Sequence, residues 1–192
     1  MTTIDRTIAP KIETIKELRL RKPEQIIFPN NNICFLWHDD KNELLKIDAV
    51  FAAGSTAQKK AMTAYFTSKL LKEGSKSLNS SKIADIIDFH GAHIEFHADK
   101  DELIATLFCL KKHALKLIPI FSEITFNPSF PEEEISSLKT IEKAKLSINT
   151  EKMEYLTAIR FNQEIFGKNH PYGWIPCTKS IESVERRSII DF

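Results

Sequence analysis

Two histidines and a carboxylate alternate along one short stretch, His93-Ile94-Glu95-Phe96-His97, and His90 comes just before it. In an extended strand, alternation puts His93, Glu95 and His97 on one face. Imidazole nitrogen and carboxylate oxygen are both zinc-type donors. The spacing works against one shared ion, because residues four apart on a strand have roots about 13 Å apart. A metal could bridge two neighbours of the row and would be strained to take all three. The row therefore reads as a solvated polar face, with metal capture by His93, Glu95 and His97 as the alternative. The remaining reactive types are scattered. Cys34, Cys109 and Cys177 are odd in number and far apart, which fits reduced thiols in a cytoplasmic setting better than a disulfide framework. His170 belongs to His170-Pro171-Tyr172-Gly173, where Pro fixes a backbone angle and Gly permits a turn, so it reads as a hydrogen-bonded loop residue. Glu132, Glu133 and Glu134 read as the acidic first turn of a helix. Trp37 and Trp174 read as packing residues.

The elements that hold these groups follow from periodicity. Gln25–Phe28 and Ile33–His38 form a hairpin around Pro29-Asn30-Asn31-Asn32, since Asn tolerates left-handed backbone. Leu44–Ala53 alternates, with Leu45, Ile47, Ala49 and Phe51 on one side. Ala61–Ser75 reads as an amphipathic helix stopped by Gly74. A second helix is expected from a Ser80 cap, with Ile83, Ile86, Ile87 and Phe89 as its stripe and Gly91 at its end. Ala92–His97 and Leu103–Leu110 form two antiparallel strands around Asp99-Lys100-Asp101. Helices follow over Ala114–Thr125, from Pro131 past Leu146, over Lys152–Phe166, and from Ser180 to Phe192. Strands followed by helices give an α+β fold, an antiparallel sheet with helices packed on one face.

Composition narrows the class. The chain has 192 residues and a formal net charge of +1, without a basic stripe of the nucleic-acid-binding kind. No apolar run reaches membrane-spanning length. The first 22 residues are polar and charged, so no secretory signal is read there. These observations point to a cytoplasmic protein that engages neither nucleic acid nor membrane. The organisation expected is an N-terminal arm over residues 1–23 and a domain over 24–192.

The order of several short motifs resembles the insulinase/pitrilysin-type metallopeptidases, the group that includes mitochondrial processing peptidase. They are Phe28-Pro29-Asn30-Asn31, Ala52-Ala53-Gly54-Ser55, Leu70-Leu71-Lys72-Glu73-Gly74-Ser75, Gly91-Ala92, the run from Phe126 to Glu134, and the run from Phe166 to Gly173. The resemblance covers about residues 24–190. It implies a half-domain of the processing-peptidase/LuxS-like type, here similar to an N-terminal half, incomplete at its C-terminal end. The family's zinc motif, H-x-x-E-H, puts two His on one helix face with a Glu to polarise the attacking water. Aligned on the Leu70–Ser75 motif, Tyr65 and Lys69 fall in the His slots and Ser68 in the catalytic Glu slot. Lys145 falls in the slot of the third ligand. A lysine cation repels Zn²⁺, and serine cannot serve as the carboxylate base. No catalytic residue and no cofactor are therefore expected in this half.

In some relatives one subunit carries zinc and a degenerate partner closes the chamber. The resemblance implies that role here: a non-catalytic subunit in a heterodimer with a zinc-bearing peptidase subunit, helping to hold peptide substrate. In active relatives an extended peptide adds to a sheet edge beside the zinc site. The corresponding strand here is Gly91-Ala92-His93-Ile94-Glu95-Phe96-His97, beside the plainer alternative that these residues only cover the edge. Two other readings remain. One is an active metallopeptidase working through an unconventional site or a second half, and the other is a stand-alone peptide-binding module.

Overall fold

The computed structural model describes residues 22–192, and most of the arm expected over residues 1–23 lies outside them. The described chain divides after Asn42 into two compact units. The first holds an antiparallel hairpin, β1 (Glu24–Ile27) and β2 (Ile33–Leu36), in the register Glu24↔Leu36 to Ile27↔Ile33. Asn31 sits at φ 64° in its turn, the left-handed conformation expected of an Asn-rich loop. The hairpin is a separate two-stranded sheet among the described residues.

The second unit holds a three-stranded antiparallel sheet in the order β3 (Leu44–Phe51), β5 (Leu103–Leu110), β4 (His93–Ala98). Its two faces follow the period of two. Leu103, Ala105, Leu107 and Cys109 of β5 are buried, as are Ile94 and Phe96 of β4. Leu45, Ile47, Ala49 and Phe51 of β3 pack against them. Burial pushes the Cys109 thiol pKa up, as expected when the charged form loses hydration.

Helices cover this face. They are α1 (Thr63–Leu70), α2 (Ser80–Phe89), α3 (Ala114–Phe126), α4 (Glu132–Asn149), α5 (Met153–Phe166), α6 (Thr178–Glu182) and α7 (Arg186–Ile190). The core joins Phe66 and Leu70 of α1 to Ile83 of α2, then to Leu117, Phe121 and Ile124 of α3. Ile135, Ile181, Val184 and Ile189 complete it. The α+β arrangement read from the sequence is the one observed.

Four local readings change. The α1 helix begins at Thr63, later than the Ala61 expected, because Met62 lies at φ 72°, outside the right-handed region. Its end tightens into a 3₁₀ turn over Leu71–Glu73. The cap of α2 is Asn79, whose side chain accepts from the Lys82 N–H at 2.9 Å, and Ser80 is the first helical residue. Phe89 is 85% exposed and not part of the buried stripe. The helix expected from Ser180 to Phe192 is broken into α6 and α7. Ser180 Oγ accepts from the Cys177 N–H at 2.9 Å, and Ser188 Oγ accepts from the Glu185 N–H at 3.2 Å. The backbone thus restarts, and Ile181, Val184 and Ile189 all reach the core.

Candidate functional site

The α1 helix runs through the domain with Thr63, Ala64, Phe66, Thr67, Ser68 and Leu70 buried. Two of its polar side chains are served within the helix, while the buried Thr63 hydroxyl has no hydrogen-bond partner. Thr67 donates to the Thr63 carbonyl at 2.9 Å, and Ser68 donates to the Tyr65 carbonyl at 2.8 Å. Its first turn is capped from a distance, since the Gln58 side-chain oxygen accepts from the Ala64 N–H at 3.0 Å.

Beside this helix lies a cavity of about 400 Å³ lined by residues that include Tyr65, Glu142, Lys145, Tyr155 and Trp174. Two of the four slots read from the sequence, Tyr65 and Lys145, therefore meet in space although 80 residues apart in sequence. Between them stands Glu142. Its carboxylate accepts from Lys145 Nζ at 2.7 Å. The Glu142 side chain is only 10% exposed, whereas that of Lys145 is 56% exposed. The Tyr65 phenol pKa is pushed up to about 12, first by burial and then by the hydrogen bond to Glu142 and its negative charge. All these effects favour the neutral phenol. Lys69 Nζ lies 5.6 Å from the centre of the Tyr65 ring, a cation–π contact. Ser68 is bound to its own helix and does not line the cavity.

This donor set does not fit zinc. A phenol, a hydroxyl and two ammonium groups stand in the slots, and the carboxylate present is engaged by Lys145. Among the described residues, no group of three or more His, Cys, Asp or Glu side chains could hold a metal ion. What the site offers is a largely apolar hollow with one half-exposed ion pair in its wall. Glu142 was not singled out from the sequence. It was findable, because it lies three residues before Lys145 on the same helix, where side chains face each other.

The edge strand comes close to the same place. Among the described residues β4 pairs only with β5, from His93↔Phe108 to Ala98↔Leu103. Ala98, Asp99 and Lys100, at its end, line the cavity. Gly91 lies at φ 58°, where α2 turns into β4. His93, Glu95 and His97 are exposed in alternation. His93 Nε2 and Glu95 Oε2 are 3.7 Å apart.

The short motifs are the interlocks around this site. Ser55 N–H and Thr56 N–H donate to the carbonyls of Asp99 and Lys100 at 2.9 and 2.8 Å. A Cβ on Gly54 would lie 2.3 Å from the Lys100 carbonyl oxygen, so the approach requires glycine. Gly74, at φ 150°, accepts from the Ser129 N–H at 3.0 Å, which joins the Leu70–Ser75 motif to the run from Phe126. The Tyr172 hydroxyl hydrogen-bonds Asp101. His170 Nδ1 accepts from the Tyr172 N–H at 3.2 Å, and Phe166 packs on both rings.

The fold is thus a peptidase-type half-domain in which the four positions read from the sequence as metal slots carry neither histidine nor carboxylate. The chain belongs to the insulinase family, peptidase family M16, whose model matches residues 36–169. Among solved structures it resembles the peptidase M16 inactive domain from Pseudomonas fluorescens, at TM-score 0.83 and 21% identity, over 88% of this chain and 42% of that one. It also resembles a protease from Helicobacter pylori, at TM-score 0.78 and 16% identity, over 89% and 43% of the two chains. A third is a mutant of the ferredoxin protease FusC in complex with Arabidopsis ferredoxin, at TM-score 0.70 and 12% identity, over 99% and 23%. The chain therefore spans less than half the length of each of these proteins. No curated protein sequence matches it. No helix among the described residues is long and apolar enough to cross a membrane.

Proposed function

We propose that the chain is the non-catalytic member of an insulinase-type pair, which holds an extended peptide for a zinc-bearing partner subunit of the same family. The observation that carries the reading is the Tyr65–Glu142–Lys145 cluster. In a family whose activity needs a metal and a carboxylate base, this half fills the slots with a neutral phenol and an ion pair. The motifs around them are kept as interlocks. Peptide is held at β4, from Gly91 to His97, by main-chain hydrogen bonds of the kind strand addition supplies. The cavity at the end of that strand encloses part of it. The inactive-domain relative from Pseudomonas fluorescens supports a half of this kind. Zinc belongs to the partner, and the pair works in the cytoplasm.

The test is affinity capture of the tagged chain from its native cell, followed by a peptidase assay. The chain purified alone should not cleave peptide. The captured complex should cleave, and a chelator should abolish the activity. Chelator-sensitive cleavage by the chain alone would overturn the proposal in favour of an active metallopeptidase. Capture without any peptidase would leave a stand-alone peptide-binding module as the better reading. A second test addresses the slots. The variant Tyr65→His, Ser68→Glu, Lys69→His, Lys145→Glu should gain about one zinc per chain by elemental mass spectrometry. A folded variant that takes up none would refute the assignment of the slots.

A further inference from the structure

We infer that β4 selects extended peptides that place a lysine or arginine directly across from Glu95. The inference rests on the reading that β4 accepts a peptide strand, and it specifies which peptide. Ile94 and Phe96 are buried in the core and fix the strand's rotation. The alternate side chains, His93, Glu95 and His97, must then stand on the opposite face. In a strand added to that edge, residues directly opposite share a face. A side chain across from Glu95 therefore stands among His93, Glu95 and His97.

The charge on this face is not balanced. Lys46 Nζ is held by Asp48 at 2.7 Å, and the Asp48 carboxylate also accepts from Thr106 Oγ1 at 2.7 Å. Those two charges offset each other on β3. Glu95 is different. Its neighbour is His93 at 3.7 Å, an imidazole that is a cation only when protonated. The Glu95 side chain is 62% exposed, so its carboxylate keeps acceptor positions for an incoming cation. Across β5 it faces Thr106, a neutral residue. The cross-strand slot beside Glu95 therefore favours a basic residue and disfavours an acidic one, and the flanking positions face imidazoles.

Opposite-charge pairs across strands are worth about 0.2–1 kcal/mol, which is roughly a 1.4- to 5-fold change in affinity for each step. The experiment uses three fluorescein-labelled nonapeptides of alternating Val and Thr that differ at the central residue, Lys, Ala or Glu. Binding to the full chain is followed by anisotropy at neutral pH and low salt. The expected order is Lys, then Ala, then Glu, each step about 1.4- to 5-fold. The variant Glu95→Lys should invert the order, and Glu95→Gln should flatten it. Equal binding of all three peptides would overturn the selectivity while leaving strand addition in place. So would an unchanged order in Glu95→Lys. If none of the peptides binds, the peptide-holding reading falls with it. A version of the Lys peptide with alternate backbone nitrogens methylated should lose binding. If it binds as well as its parent, the contact is charge attraction without strand addition, and the inference is refuted.

Discussion

Replacing Lys145 with methionine should destabilise the fold, and removing Glu142 as well should restore much of the loss. The magnitude follows from the two exposures. Breaking a fully buried ion pair costs about 3–5 kcal/mol, because the remaining charge is left desolvated. An exposed pair is worth about 0–1 kcal/mol. Here the carboxylate is 10% exposed and the ammonium 56% exposed, with 2.7 Å between them. The environment is thus mixed, and the expected cost of Lys145→Met is about 1–3 kcal/mol. At this chain length, about 2 kcal/mol lowers the melting temperature by roughly 4–8 °C. In Lys145→Met/Glu142→Gln no buried charge is left unpaired, so the double variant should be more stable than Lys145→Met alone. Urea unfolding followed by circular dichroism measures all three proteins. The single variant Glu142→Gln completes the cycle and gives the coupling. A Lys145→Met protein as stable as the parent would refute the reasoning. So would a double variant whose loss is the sum of the two single losses. Either result would mean that Glu142 keeps enough water to stand without its partner.

Three further outcomes are expected. The Tyr65 phenol pKa is pushed to about 12, chiefly by burial and then by Glu142, so an ultraviolet titration of the folded chain should lose its last step in Tyr65→Phe. Gly54→Ala should cost about 1–3 kcal/mol in urea unfolding, because the added Cβ meets the Lys100 carbonyl and neither backbone can yield easily. The His113 imidazole pKa is held below its ordinary value by burial, then by His90, Lys112 and Lys116, and its ring lies tilted against His90 with centroids 4.8 Å apart. A depressed folded value means that the unfolded chain binds the proton more readily. Stability should therefore be full above the ordinary histidine range, about pH 6.5, and fall as pH drops through it. His113→Gln should flatten that fall in thermal melts between pH 5 and 8, and an unchanged slope would assign it to other groups.

Much of this was legible because it is periodic. The alternation of Leu45, Ile47, Ala49 and Phe51 on β3 gave both the strand and its buried face, as did the row from His93 to His97 on β4. The readings that changed depend on contacts that periodicity does not encode. The late start of α1 reflects the Met62 backbone and a cap supplied by Gln58, six residues before the N–H that it serves. The break between α6 and α7 is made by Ser180 and Ser188 accepting from the N-cap backbone, and serine is equally ordinary on a helix surface. The cavity was half legible. The family spacing put Tyr65 and Lys145 into matching slots, but spacing alone carries no partner for a lysine. Glu142 supplies it, from one turn away on the same helix.

The interlocks hold the short motifs together independently of the four positions read from the sequence as metal slots. Gly54 is required by the Lys100 carbonyl, and the Gly74 carbonyl accepts from the Ser129 backbone. Tyr172 reaches Asp101 through a hydrogen bond. None of these contacts passes through Tyr65, Ser68, Lys69 or Lys145, so the interlocks themselves do not depend on those four side chains. The remaining constraint is electrostatic. A carboxylate at Glu142, buried beside α1, needs a positive neighbour, and Lys145 provides it within the same helix. Its ammonium supplies the positive charge that a largely buried carboxylate requires.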